Sequence, residues 1–464
     1  KKRVTPEKMR EISVTSLSKL SDMELDKMGR ITNPLFLKEG EDTYEEIDWG
    51  SAFKIIASKI NGSDDPDENV LYTSGRASNE AAFLWGVLAR QIGTNNLPDC
   101  SNMCHESSGV ALSESIGIEK GTVKLSCFEK ADLILVIGQN PGTNHPRMLT
   151  ALAACKENGG SVVSINPLEE TAMKRFKHPQ NPLHLIGRGV QIADEHLPVR
   201  IGGDAALLQG FAKTILSQGG ADLDFISANT LGFEDWKKHI ESTDWEKIVE
   251  QSGISRDRIE KTGNAIAKSE RMIVCWAMGL TQHENSVAVI QEVSNLLLAG
   301  GHFGKPGAGA CPVRGHSNVQ GDRTVGVNHH PTEDFISSCE SETGINMPRK
   351  KGYDVVEFIH AALQGRVRTF MALGGNLVSA MSDTERVAKA ISNIDLTVQI
   401  STKLNRSHLI TGKEALILPC LGRTEIDPAG FVSVENSMGL VHSSEGSLKP
   451  ASKNLLSEPE IISR

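Results

Sequence analysis

The segment Ala131-Asp132-Leu133-Ile134-Leu135-Val136-Ile137-Gly138-Gln139-Asn140-Pro141 decides the fold. Its short, unbroken apolar run reads as a strand, and Gly138 to Pro141 ends it. A helix is expected next, with Pro146 suited to its first turn and Met148, Leu149, Leu152 and Cys155 on one face. Gly159-Gly160 ends that helix, Ser161 to Ile165 reads as the following strand, and Asn166-Pro167 closes the unit. Strand, helix and strand in this order make a βαβ unit, the building block of parallel sheets.

The same grammar returns near the C-terminal end. Thr369 to Leu373 reads as a strand and Gly374-Gly375-Asn376 as its turn. Ser382-Asp383-Thr384-Glu385 opens a helix with a cap-like start, and Leu396 to Ile400 is the return strand before Ser401-Thr402-Lys403. Further strands are expected at Val70–Thr73 and Met272–Ala277, with helices at Ser78–Arg90 and Arg256–Lys268. The expected fold class is α/β, with two doubly wound, mostly parallel-sheet domains related by pseudo-duplication and an N-terminal arm. Residues 69–104 and 317–450 are expected to form the first domain, and 105–316 a second inserted in it. Residues 1–68 are polar and read as the arm or the remnant of a preceding domain. Residues 451–464 read as a tail toward a further cofactor domain outside this chain. In open parallel sheets ligands sit beyond the carboxyl ends of the strands, which puts both Gly-X-Asn loops on binding edges. Residues 300–332, rich in Gly, His, Pro and Asn and poor in regular period, are expected to form a loop, and a loop of that length is usually functional or disordered.

Bulk properties narrow the class. A chain of 464 residues holds two or three domains. The formal charge of −9 argues against a general nucleic-acid binder, and no apolar run approaches the ~20 residues of a membrane helix. The eight cysteines lack any regular spacing, so a disulfide scaffold is not expected. Reduced thiols and a cytoplasmic location are the expectation, with neither nucleic acid nor membrane as partner.

Within this frame Cys104-His105 stands out. A thiolate beside an imidazole is either a soft metal ligand with an adjacent proton acceptor or a nucleophile with its base. Gly138-Gln139-Asn140-Pro141 and Gly374-Gly375-Asn376 let the backbone approach a phosphate at a strand end. Asn166, Pro167 and Ser401 to Lys403 lie at the ends of the following strands, placed to meet a ribose or a guanine. In Arg200-Ile201-Gly202-Gly203-Asp204 the carboxylate either accepts from a base edge or caps the helix expected from Ala205. Arg314, in Val313-Arg314-Gly315-His316-Ser317-Asn318-Val319-Gln320-Gly321, is suited to hold a small carboxylate through two parallel hydrogen bonds.

The ordered set of motifs resembles the molybdopterin oxidoreductases, specifically the formate dehydrogenase alpha subunit-like branch. The matching residues, spread over roughly residues 69 to 450, are Thr94-Asn95-Asn96, Cys104-His105, Gly138 to Pro141 with His145-Pro146, Met278-Gly279 with Gln282, and Gly304-Lys305-Pro306-Gly307-Ala308-Gly309. Pro312 to Gly315, Asn318 to Gly321 and Gly374 to Asn376 complete the series. The resemblance implies a molybdenum ion, less often tungsten, bound by two molybdopterin guanine dinucleotides, the Mo-bis(molybdopterin guanine dinucleotide) cofactor. By the same resemblance Cys104 is the metal ligand, His105 the proton acceptor and Arg314 the substrate-orienting cation. Pro141, His145, Pro167, Gly202, Gly279 and Gln282 would contact the cofactor, and Gly138, Gln139, Asn140, Asn166 and Asp204 would serve it on one side. Gly374, Gly375, Asn376, Ser401, Thr402 and Lys403 would serve it on the other. A small-molecule substrate, an electron-transfer partner protein and a [4Fe-4S] cluster on a segment preceding this chain are implied as well. No cysteine precedes Cys100, and His316 stands where formate-oxidising members carry glutamine. The fragment alone is expected to be inactive. Two other readings fit the residues: a scaffold or stress-response protein that keeps the fold without chemistry, and a metal-free nucleotide-binding enzyme with Cys104 as nucleophile.

Overall fold

A computed structural model describes residues 2–180, 182, 187 and 189–464. The chain divides into two compact units, residues 1–103, 316–436 and 441–464 in one and 104–315 with 437–440 in the other. Along the chain the first unit supplies β1 (Arg3–Val4), β2 (Arg30–Ile31), β3 (Leu35–Leu37), β4 (Glu45–Glu46) and β5 (Asn69–Thr73). The second unit follows with β6 (Leu133–Ile137), β7 (Ser161–Ile165), β8 (Glu195–Leu197), β9 (Met272–Trp276) and β10 (Gly309–Pro312). The chain then returns to the first with β11 (Thr369–Leu373), β12 (Leu396–Ser401) and β13 (Glu414–Pro419).

The second unit is a five-stranded sheet in the order β10-β9-β6-β7-β8, all parallel. Its strands read as continuous apolar runs because both faces are covered. Leu133, Leu135 and Ile137 join Val274, Trp276 and the helix Asp204–Ser217 in one core. Ile134 and Val136 join Val162, Cys275 and the helix Met148–Glu157 in the other. The period-two alternation of strand side chains divides them. From β6 the chain steps one way to β7 and later the other way to β9, so the sheet's topological switch point lies between β6 and β9.

The first unit is a six-stranded sheet, β4-β3-β13-β12-β11-β5, in which β5, β11, β12 and β13 are parallel. The N-terminal stretch expected as an arm is instead part of this unit. β3 runs antiparallel to β13 with Leu37 opposite Ala415, and Val4, Met9, Leu17, Leu25 and Ile31 are buried in one cluster with Ile417. Val4 and Ile31 sit in two-residue strands, and Met9, Leu17 and Leu25 on helices of four to six residues, all too short to show a period. The expected tail is likewise packed: the helix Glu458–Ser463 buries Ile461 in the core formed by Leu71, Met371 and Val398. Residues 300–332, expected as one irregular loop, contain β10 and the helix Val319–Thr324.

Candidate functional site

In the second unit five strand ends deliver the residues singled out in the sequence. Gly138 to Pro141 follow β6, Asn166-Pro167 follow β7, Gly202 to Asp204 lie beyond β8, Met278 to Gln282 follow β9, and Val313-Arg314 follow β10. At the switch point Gly138 and Gly279 touch backbone to backbone: a Cβ added to Gly279 would lie 2.4 Å from the Gly138 Cα, and Gly138 holds φ at 59°. The Gly279 N–H donates to the Gly138 carbonyl at 3.0 Å. Asn140 caps the short helix Pro141–Asn144 by accepting from the Thr143 N–H at 3.2 Å. Gln139 is buried; its amide nitrogen donates to His145 Nδ1 at 3.2 Å, while its oxygen has no hydrogen-bond partner among the described residues. Asn166 turns inward on its own loop, donating to the Leu168 carbonyl and the Glu170 carboxylate.

Asp204 occupies the first turn of the helix Asp204–Ser217, with Gly203 rather than Asp204 at the cap. Burial pushes its carboxyl up to about 6, opposed by the positive influence of His283. A carboxyl kept out of water with no side-chain cap to make suits a donor-rich ligand edge.

Cys104 is half-buried and belongs to no packed apolar cluster; its thiol lies 3.5 Å from the Met278 sulfur, just past the end of β9. His105 begins the helix Glu106–Ile116 and is 1% exposed. Its Nε2 meets the Val313 carbonyl at 3.2 Å and its Nδ1 meets Ser108 Oγ at 3.0 Å. Burial, reinforced by the Arg314 charge, holds its pKa down at about 3. Both ring nitrogens are thus engaged in hydrogen bonds within the second unit. The Arg314 guanidinium donates to the Glu119 carbonyl at 3.0 Å, and its main-chain N–H to Ser437 Oγ at 3.2 Å.

The first unit gathers its own candidates into one cleft of about 630 Å³ at the carboxyl ends of its parallel strands. Ser74 follows β5, Gly374 to Asn376 follow β11, Ser401 to Lys403 end β12, and Cys420 to Arg423 follow β13. Gly374 and Gly375 take φ of 71° and 86°, and a Cβ on Gly375 would meet the Tyr72 ring at 3.2 Å. Asn376 opens a short helix and accepts from Ser407 Oγ, while the Gly375 carbonyl accepts from Asn405. The Lys403 ammonium is paired with Asp26 at 2.8 Å, and Ser401 Oγ donates to the Lys403 carbonyl. Composition alone did not single out Arg76, Arg423, Glu425 or Glu458, which also line the cleft. Burial pushes the Glu458 carboxyl up to about 7, with Arg423 opposing. Nor did it reveal that Cys100 Sγ lies 3.3 Å from His316 Nδ1. Asn318 and Gln320 are structural: Asn318 donates to the Ala77 carbonyl and Gln320 to Glu435, both buried.

A long nucleotide-type cofactor fits both edges. Left-handed glycines give close backbone approach in each unit, a buried unpartnered Gln139 oxygen stands ready to accept, and Arg76 and Arg423 bring positive charge to the cleft. Fold and site together define a doubly wound α/β protein with glycine-bearing loops at the carboxyl edges of two parallel sheets and a half-buried thiol.

The chain belongs to the molybdopterin oxidoreductase family, whose family model matches residues 30–410. It is 48% identical over 472 residues to an uncharacterized oxidoreductase of Mycobacterium tuberculosis, covering 100% of this chain and 61% of that protein. It is 44% identical over 467 residues to protein YdeP of Escherichia coli K12, covering 97% and 62%. The chain thus spans about three-fifths of the length of these relatives. Its fold is similar to that of acetylene hydratase from Pelobacter acetylenicus, with a TM-score of 0.73 and 19% identity over 98% of this chain and 63% of that one. No helix among the described residues is long and apolar enough to cross a membrane.

Proposed function

We propose that this chain is the main cofactor-binding part of a molybdenum-dependent, formate dehydrogenase-like oxidoreductase that carries out two-electron redox of a small anion. The observation that carries this reading is the Cys104 thiol. It is half-buried, outside the apolar cores, and beside Met278, which precedes Gly279 just past the end of β9. A thiolate there is a soft ligand suited to a molybdenum or tungsten ion. When bound, a Mo-bis(molybdopterin guanine dinucleotide) centre would supply the two-electron chemistry and pass electrons onward. The chain's own residues then have separate tasks. Gly138 to Pro141, His145, Asn166, Pro167, Gly202, Asp204, Gly279 and Gln282 would cradle one dinucleotide. Gly374 to Asn376 and Ser401 to Lys403 would cradle the other. Arg314 would hold the anionic group of the substrate, a role for which its fixed fork of donors is suited.

The partners would be that small substrate and an electron-transfer protein, the location the cytoplasm, in keeping with eight cysteines that form no disulfide among the described residues. A [4Fe-4S] cluster would belong to a segment outside these residues, and the chain alone would be inactive. The test uses the full-length protein. Wild type should carry about one molybdenum or tungsten per chain and reduce a dye with a small anionic substrate, whereas Cys104→Ser should abolish turnover. Full turnover in Cys104→Ser, or wild type without either metal, would refute the reading.

A further inference from the structure

We propose that His105 and His145 act as a pair of positioning residues that clamp the Val313–Arg314 backbone, and that Gln139 ties this clamp to the Gly138–Pro141 loop. The inference rests on the reading of Arg314 as the anion-holding cation and replaces proton transfer as the task of His105.

The hydrogen bonds assign each proton. A carbonyl oxygen only accepts, so a ring nitrogen facing one must carry the hydrogen. His105 Nε2 faces the Val313 carbonyl at 3.2 Å, and His145 Nε2 faces the Arg314 carbonyl at 3.3 Å. Both rings are therefore Nε2–H donors onto consecutive carbonyls, which leaves each Nδ1 as an acceptor. Trp276 Nε1 donates to Ser108 Oγ at 2.9 Å, and an indole nitrogen cannot accept. Ser108 is thereby free to give its own hydrogen to His105 Nδ1, 3.0 Å away. On the other ring, His145 Nδ1 accepts from the Gln139 amide nitrogen at 3.2 Å. Reversing that amide would set an oxygen lone pair against the Nδ1 lone pair, so the orientation is settled by the network.

These bonds act where secondary structure does not. β10 ends at Pro312, and Arg314 is followed by Gly315. The Val313 N–H still bonds the Trp276 carbonyl at 2.8 Å, but beyond it the main chain is held by side chains: two imidazoles on its carbonyls and Ser437 on the Arg314 N–H. The Gln139 oxygen, buried and without a partner among the described residues, is the other end of this line. A ligand donor at the Gly138–Pro141 loop that engages this oxygen would fix the amide, hence His145, hence the Arg314 carbonyl. Two groups fixed on one peptide unit position a guanidinium more firmly than either alone.

The test uses the full-length protein and compares His145→Ala, His145→Gln and Gln139→Leu with wild type, with His105→Gln as a second site. Glutamine places an N–H₂ near the Nε2 position and can donate to the carbonyl, but it cannot shuttle a proton. In His145→Ala, KM for a small anionic substrate such as formate should rise about tenfold, the loss of one hydrogen bond, with kcat falling by less. His145→Gln should return KM to within about threefold of wild type, and His105→Gln should keep the wild-type pH profile of kcat. Hydrogen exchange read by mass spectrometry on the peptide spanning residues 309–317 gives a readout independent of activity. Exchange there should speed up in His145→Ala and Gln139→Leu and recover in His145→Gln. Unchanged exchange in His145→Ala overturns the clamp, as does a His105→Gln variant that exchanges normally yet loses one limb of the pH profile. A protein without metal or turnover would defeat the proposed function while leaving the exchange result to decide the clamp.

Discussion

The contact between Gly138 and Gly279 can be tested by adding one methyl group. In Gly279→Ala the new Cβ would lie 2.4 Å from the Gly138 Cα and 2.7 Å from its carbonyl oxygen, about 1 Å inside ordinary contact. Both obstacles are backbone, so the ends of β6 and β9 must separate. Overpacking of this kind costs about 1–3 kcal/mol. Gly138→Ala meets the Gly279 Cα at 2.7 Å and also forces a φ of 59°, a left-handed conformation that adds about 1–2 kcal/mol. Gly219, with φ of 64° and nothing within 4 Å of an added Cβ, isolates the backbone cost: Gly219→Ala should lose about 1 kcal/mol. The expected order of destabilisation is therefore Gly138→Ala, then Gly279→Ala, then Gly219→Ala, read from urea midpoints at constant m. Once either methyl has opened the contact, the second finds part of the space made. The double variant should fall short of additivity by about 1 kcal/mol. Strict additivity, or a Gly279→Ala cost below about 0.5 kcal/mol, would show that the two loops do not touch as described.

Two further outcomes follow from buried charge and a buried ring. Glu425 binds Arg30 at 2.7 Å and also accepts from the Gly422 and Ala451 N–H groups, with its side chain 1% exposed. Glu425→Ala should destabilise the first unit by about 3–5 kcal/mol, because the Arg30 charge is left behind in a poorly solvated place; a loss under 1 kcal/mol in calorimetry would refute the pair's importance. His408 is fully buried, its Nδ1 accepting from the Asn405 N–H, and burial lowers its pKa to about 4. Because the folded value lies below the unfolded ~6.5, the unfolded chain binds more protons between the two. Stability from this ring is therefore complete above about pH 6.5 and is lost toward pH 4, at up to about 1.4 kcal/mol per pH unit. His408→Leu should flatten the wild-type fall between pH 6 and 4.5 by about that slope; parallel profiles in urea melts would contradict the assignment.

The parallel strands were legible in the sequence because they are buried on both faces. Leu133 to Ile137 and Phe370 to Leu373 are continuous apolar runs closed by glycine, and the structure ends both strands where the glycines begin. The N-terminal sixty-eight residues were not legible, since Val4, Met9, Leu17 and Leu25 are isolated among charges and become a core only when β3 docks on β13. The strand-edge loops were found for a similar reason to the strands: glycine at a strand end is a local signal. Arg76, Arg423 and Glu458 were not, because they reach the cleft from segments with no pattern of their own. The sharpest divide falls within one dipeptide. Cys104 and His105 are neighbours in sequence, and adjacency suggested shared chemistry. A helix start separates their directions: the thiol lies beside Met278, while the ring turns inward to Ser108 and Val313. Which nitrogen of an imidazole remains available depends on residues 3 and 208 positions away, and no local reading of Cys104-His105 contains them. The same holds for His145, whose partners are Gln139 and the Arg314 carbonyl. The sequence therefore names His105, His145, Gln139 and Arg314 as candidates, and only the hydrogen bonds of the folded chain show that the first three line up behind the Val313–Arg314 backbone.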